Sequence, residues 1–343
     1  MNDDNKVLSS NQKIMKLKII DDAIEGNYEA ISLINEKRCI IIPTNFANNN
    51  AFVYDFEENR KINNIVPIEY GNIILNKITD VTDIDSDNSF WLLSVNNSEQ
   101  NFASLVKALY VDNKITLVSQ FNITHKTDHM LNFEGLVKVG QNDFVLFSDN
   151  FFEYKNNKND DRYGMVFISI ENYCVNVQPL KFEIYGSNYN NYFFGVNKIS
   201  SAFAVEDGII ATAQHPDTYF NNVFKIPNEE LERIKKNMEP INCDNKSIMT
   251  IRPIIFQSYY NNDDNTDQIM INDGMEALTY KNNKYYGVTT WFYPYLVLEG
   301  ETTPENQLYI SNTNYIPAGY DRTKVGVYMK PIIGSLEISK LSV

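Results

Sequence analysis

Apolar residues in this chain fall into short runs that come in pairs, and each pair is headed by a carboxylate or hydroxyl residue. Tyr28-Glu29-Ala30-Ile31 leads to Thr44-Asn45, Thr79-Asp80-Val81-Thr82 to Val95-Asn96, and Phe133-Glu134-Gly135-Leu136 to Asp149-Asn150. Weaker copies run from Ser200-Ser201-Ala202-Phe203 to Gln214-His215, and from Met275-Glu276-Ala277-Leu278 to Thr289-Thr290-Trp291. Short runs rich in β-branched and aromatic residues, separated by Asn- and Asp-rich clusters, predict strands joined by turns.

Each copy offers about four strands. In the second they are predicted at Ile78–Ile84, Phe90–Val95, Ser104–Val111 and Ile115–Ile123. In the third they are predicted at Phe133–Val139, Asp143–Phe147, Met165–Ile170 and Val175–Ile184. The intervals from head 29 to 80 and from 80 to 134 approximate one four-stranded propeller blade, roughly 40–50 residues. The two longer intervals contain polar insertions. One helix is expected at Glu229–Met238, capped by Asn228, with Glu229/Arg233 and Glu232/Lys236 as i,i+4 pairs.

The expectation is an all-β chain: a tail over 1–13, then one domain over 14–343, a five-bladed β-propeller. Its ring is expected to close by pairing of the strand near 14–20 with a C-terminal strand, which removes exposed sheet edges. Strands at Val325–Lys330 and Leu336–Ser342 leave little room for a sixth blade. A β-sandwich with similar hairpins is the alternative architecture.

Composition adds to this picture in two places. Tyr 22 and Phe 20 against Gly 14 suit pleated strands, with Asn and Asp expected to supply the left-handed turn positions that glycine would otherwise take. The net charge of −14 argues against a nucleic-acid partner and suits cations. Cys39, Cys174 and Cys243 show no disulfide framework or zinc spacing. A signal region and a membrane-length apolar stretch are both absent from the sequence, so the default expectation is cytoplasmic, with signal-less export or a removed leader left open.

On a propeller the innermost strand of each blade lines the axis. Glu29, Asp80, Glu134, Ser200 and Glu276 are therefore expected to converge around one mouth. Asn45, Asn96 and Asn150 each stand 16 residues after a head. With His215 and Trp291 they are expected to form a second circle at the same mouth, three of them (Asn45, Asn96, Asn150) and Trp291 serving as substrate contacts. Clustered carboxylates must be protonated, paired or neutralised by a cation, and calcium accepts carboxylate, hydroxyl and amide oxygens in irregular geometry. The alternative is that these residues cap strand ends in a water-filled channel.

The order of heads resembles the ring of Glu and Ser that holds calcium in five-bladed apyrases, the calcium-activated nucleotidases. Ser200-Ser201-Ala202-Phe203 and Gly274-Met275-Glu276-Ala277-Leu278 are the nearest local matches, while the third copy is similar to the Glu-Gly-Leu to Ser-Asp-Asn pattern of phytase-like and lactonase-type calcium propellers. The resemblance implies calcium held by Glu29, Asp80, Glu134, Ser200 and Glu276. The chain departs from apyrases at Glu29, where they tend to have Ser. It also lacks their Arg-rich phosphate contacts, Asp160-Asp161-Arg162 being the nearest candidate.

Three functional readings follow. The first is a calcium-dependent hydrolase of a phosphate- or carboxylic-ester-like substrate, with Glu134, Asp149 and His215 as acid/base candidates. The second is a non-enzymatic binding propeller that recognises a glycan or protein around a structural ion. The third is a glycoside hydrolase using channel carboxylates. His125 and His129 have metal-ligand spacing only on a helix, which their segment does not predict.

Overall fold

The computed structural model describes residues 13–16, 18–21, 28–65, 67–68, 72–96, 102–124, 133–153, 162–180, 199–214, 221–237, 247–252, 255–259, 267–271, 274–281, 284–296, 308–309 and 325–337. Two short strands come first, β1 (Lys13–Lys16) and β2 (Lys18–Asp21). The first sheet follows in chain order: β3 (Tyr28–Leu33), β4 (Arg38–Pro43), β5 (Ala51–Asp55) and β6 (Arg60–Ile65). The second is β8 (Lys77–Val81), β9 (Ser89–Val95), β10 (Phe102–Val111) and β11 (Lys114–Thr124), with β7 (Pro67–Ile68) parallel on its outer edge. The third is β12 (Phe133–Lys138), β13 (Asp143–Glu153), β14 (Arg162–Glu171) and β15 (Cys174–Leu180).

The fourth sheet contains β16 (Ile199–Val205), β17 (Gly208–Gln214), β18 (Asn221–Pro227) and β19 (Ser247–Arg252), with helix α1 (Asn228–Asn237) between its last two strands. A separate hairpin, β20 (Ile255–Tyr259) and β21 (Asp267–Ile271), precedes the last sheet. That sheet holds β22 (Gly274–Lys281), β23 (Lys284–Leu296), the short β24 (Leu308–Tyr309) and β25 (Val325–Glu337). The sheets form a propeller arrangement, with four blades delineated among the described residues.

The segment near 14–20 is two strands rather than one. β1 joins β19 in parallel, whereas β2 joins β25 antiparallel, so the N-terminal segment contributes to two sheets. The C-terminal strand is likewise one long element, β25, where two were expected. The second sheet falls within a residue or two of its predicted strands, except that β8 ends at Val81, three residues before the expected Ile84. In the third, β13 and β14 extend beyond their predicted ends.

Cohesion comes from the seams between sheets. Ile40, Phe46 and Val53 of the first sheet's side pack with Ile78, Phe90 and Leu117 of the second. Trp91 and Leu93 then meet Phe133 and Phe144, the Trp91 and Phe144 rings lying edge to face at 4.7 Å. Phe147 and Val145 meet Ile199 and Ala211, while Tyr28 and Phe52 meet Ala277 and Val288. Each large apolar side chain buried in such a seam contributes about 1.5–3 kcal/mol relative to exposure. Two-faced burial explains why the strands read as nearly continuous apolar runs: β9 is buried at every position.

Asn and Asp do take the turn positions. Among the described residues, five of the six non-glycine positions with positive φ are Asn59, Asn88, Asp112, Asn113 and Asn172. Asp112-Asn113 and Asn172-Tyr173 each form the two-residue link of a hairpin, where φ is positive at both positions as in a type I′ turn. Helix α1 buries Leu231 and Ile234 in the seam between the third and fourth sheets. Glu230–Arg233 and Glu232–Lys235 form ion pairs along it, at i,i+3 spacing where i,i+4 pairs were expected. Lys235 also lies over the Phe167 ring at 4.1 Å, which ties the helix to the third sheet.

Candidate functional site

The first strand of each sheet carries an extra residue at the same place. Pairing shifts register between Tyr28 and Ala30, Ile78 and Asp80, Phe133 and Gly135, Ile199 and Ser201, and Met275 and Ala277. The bulged residues are Glu29, Thr79, Glu134, Ser200 and Glu276. Four of the five predicted heads therefore occupy equivalent positions. Asp80 does not: Thr79 holds its place, and Asp80 stands one residue further on, where the other strands carry Ala30, Gly135, Ser201 and Ala277.

The small residues at that further position have a steric reason. A Cβ on Gly135 would stand 3.1 Å from Phe147 Cβ and 3.3 Å from Ile199 Cγ2. Asp80 is the large exception, and it is buried to 2% exposure. Its Oδ1 accepts the Val81 N–H at 2.9 Å and its Oδ2 the Leu136 N–H at 2.7 Å, and the carboxylate also accepts the Ala202 N–H. Burial pushes this carboxyl well above the ordinary carboxylate range, against the downward pull of the three N–H groups.

Asp83 completes the clasp. It accepts the Leu33 N–H at 2.9 Å and the Thr279 hydroxyl at 3.0 Å. Asp80 and Asp83 together thus reach β3, β12, β16 and β22 from one four-residue segment. Further bonds lie along the same seams: the Ser32 hydroxyl donates to Thr82 O, the Thr79 hydroxyl to Phe133 O, and the Leu278 N–H to Ser201 Oγ. Ile31, Val81, Leu136, Ala202 and Leu278, equivalent in all five first strands, line one axial cavity of about 140 Å³. Asp83, Asp85, Lys138 and Thr279 line its strand-end side, and Lys138 is ion-paired to Asp85.

At the strand-start mouth a cation is already present. Lys77, at the start of β8, places Nζ 3.0 Å from Glu29 and 3.7 Å from Glu134, so the two glutamates from flanking strands share one ammonium. Lys77 escapes sequence inspection because it lies two residues before Thr79 in a strand not expected to begin until Ile78. The Ser200 hydroxyl is bonded to that of Thr212 at 2.8 Å.

These observations bear on whether calcium fits the five expected ligands. Asp80 directs its oxygens at backbone N–H groups, Ser200 is bonded to Thr212, and Glu29 and Glu134 hold Lys77. Among the described residues there is no group of three or more His, Cys, Asp or Glu arranged to hold a metal. The described part of the expected set does not fit the ion as it stands. The side chain of Glu276 lies outside the described residues.

The second circle keeps its phase. Asn45, Asn96, Asn150, His215 and Trp291 each lie two residues beyond the partner of the residue preceding the bulge, namely Pro43, Ser94, Ser148, Ala213 and Thr289. Asn45 is exposed in the turn after β4, with its Oδ1 accepting from Asn48. Asn96 is half-buried at the end of β9. Asp149 and Asn150 fall within β13 and Trp291 within β23, opposite Lys330; their side chains lie outside the described residues. His215 lies outside the described residues altogether, as do His125 and His129. Cys39 is buried and Cys174 exposed.

No protein-family model and no curated protein matches the chain. Among solved structures it is similar to Kuenenia stuttgartiensis hydrazine synthase, at 8% identity and a TM-score of 0.35 over 75% of this chain and 66% of that one. It is similar to U3-55K at 7% identity and 0.31, over 76% of this chain and 60% of that one. It is also similar to a glucose dehydrogenase at 6% identity and 0.40, over 94% of this chain and 99% of that one. The chain spans less than two thirds of the first two, and none of these similarities assigns it an activity.

Proposed function

We propose that the chain is a five-bladed β-propeller, closed by β2 against β25, that works as a non-enzymatic binding module. The observation that carries this reading is the commitment of the axial polar groups to one another. Asp80 and Asp83 hold the other four first strands, and Lys77 bridges Glu29 and Glu134, leaving one net negative charge among the three. Groups locked in this way build the ring rather than turn over a substrate. The partner suited to an acidic chain of net charge −14 is a protein segment rich in Lys and Arg, attracted to the mouth that carries the bulged glutamates.

The competing proposal is the calcium-dependent hydrolase, favoured by the equivalent bulge positions of Glu29, Glu134, Ser200 and Glu276. One experiment separates the two. Metal-stripped protein is titrated with calcium by calorimetry and, in parallel, with a fluorescent lysine-rich peptide and a panel of neutral oligosaccharides by anisotropy. The binding reading expects no saturable calcium heat, together with peptide binding that weakens with salt and falls in Glu134→Gln. Saturable calcium binding with calcium-dependent turnover of an ester or phosphate, lost in Glu134→Gln, would replace it with the hydrolase. Binding of an oligosaccharide alone would change the partner class from protein to glycan.

A further inference from the structure

The N–H groups of Val81, Leu136 and Ala202 occupy equivalent places, two residues after the bulge, on three adjoining first strands. All three donate to a single acceptor, the carboxylate of Asp80. The fourth equivalent N–H, from Leu278, donates to Ser201 Oγ at 3.1 Å. Backbone N–H groups converging on one point in a water-poor interior make an anion site, because each carries a partial positive charge. The other four strands hold Ala, Gly or Ser at the position of Asp80, so one strand alone supplies the acceptor.

We infer that the axis of the propeller is an anion-binding cradle of backbone N–H groups, self-occupied by the Asp80 carboxylate, which accepts an external small monocarboxylate when that side chain is shortened. The cradle selects for acceptor oxygens: its donors face a group with two of them, the bonds found to Asp80 all have it accepting, and an amide NH2 in place of one oxygen would meet a donor. Formate matches the deleted carboxylate in size and charge. Formamide matches it in size alone.

The test uses Asp80→Ala, which takes the residue found at Ala30 and Ala277, and Asp80→Ser, which takes the residue found at Ser201. Each is melted with increasing formate, with formamide, and with chloride at matched ionic strength, beside the wild type. Both variants are expected to melt below the wild type and to regain part of the loss saturably with formate. Neither formamide nor chloride should do the same, and the wild type should show no formate response above its chloride control. Should Asp80→Ala not fold, recovery of its folded fluorescence on dilution from urea into formate, and not into formamide, is the equivalent result. Wild-type stability in both variants, equal effects of formate and formamide, or an equal formate response in the wild type would each overturn the inference.

Discussion

Replacing Lys77 by Met tests the strand-start mouth most directly. The substitution keeps an unbranched apolar stem and removes only the ammonium shared by Glu29 and Glu134. At an effective dielectric of about 20, its gross attractions at 3.0 and 3.7 Å are roughly 5.5 and 4.5 kcal/mol. Most of that is offset by the desolvation of three charged groups. Their side-chain exposures of 25%, 14% and 23% place them between surface and interior. Exposed pairs are worth about 0–1 kcal/mol, and breaking a buried pair costs about 3–5 kcal/mol, so the expected loss is about 2 kcal/mol.

The assay is urea denaturation at neutral pH, with and without calcium. The midpoint of Lys77→Met should fall with an unchanged slope, since the surface exposed on unfolding is the same. Two carboxylates left without their cation should then bind an added divalent ion, and calcium should restore the midpoint of the variant saturably. The wild type, whose ammonium already fills that role, should gain little. An unchanged midpoint in Lys77→Met would refute the electrostatic argument. An equal gain from calcium in both proteins would place any ion site elsewhere.

Gly208→Ala should destabilise by about 1–3 kcal/mol through overpacking, because the new Cβ would collide with the Ile226 backbone oxygen. An unchanged urea midpoint would show that the β17–β18 edge gives way at no cost. Ile234→Ala should lose about 2–5 kcal/mol, because the side chain is fully buried between the third and fourth sheets. Lys236→Ala on the exposed face should stay within about 0.5 kcal/mol, and equal losses in the two would remove the packing role of the helix. The Asp55 carboxyl is held below its ordinary value of 3.8 chiefly by the Glu58 N–H and then by Arg38. Its contribution is therefore present above 3.8 and lost as pH falls through the lower folded value. The stability gap between wild type and Asp55→Asn should narrow over that acid range, and a pH-independent gap would contradict it.

Architecture was legible in the sequence because each copy of the repeat must bury both faces of its strands, and this leaves apolar runs of a definite length. The turns were legible for a similar reason: only Asn, Asp and Gly adopt positive φ at low cost, and the chain uses the first two at Asn59, Asn88, Asp112, Asn113 and Asn172. The split of the N-terminal segment into β1 and β2 was not legible. Both strands draw on one short stretch, and the choice of β19 for one and β25 for the other is made by edges more than 200 residues away. Lys77 was missed for a comparable reason, since its partners sit on two other strands and no local pattern links them.

Asp80 shows how a repeat is best read for chemistry. Aligning the copies by their acids puts Asp80 beside Glu29 and Glu134 and makes it one ligand among five. Aligning them by the residue preceding the bulge, as strand pairing requires, puts Thr79 there and leaves Asp80 opposite Ala30, Gly135, Ser201 and Ala277. The phase was present in the sequence, because apolar, polar, small, apolar is the order in four copies and Ile78-Thr79-Asp80-Val81 keeps it except at the small residue. A carboxylate in place of a small side chain at a 2% exposed position demands partners, and β12 and β16 present the N–H groups of Leu136 and Ala202 there. The exception and those donors account for each other. The asymmetry of one blade is thus what fastens the others at the axis.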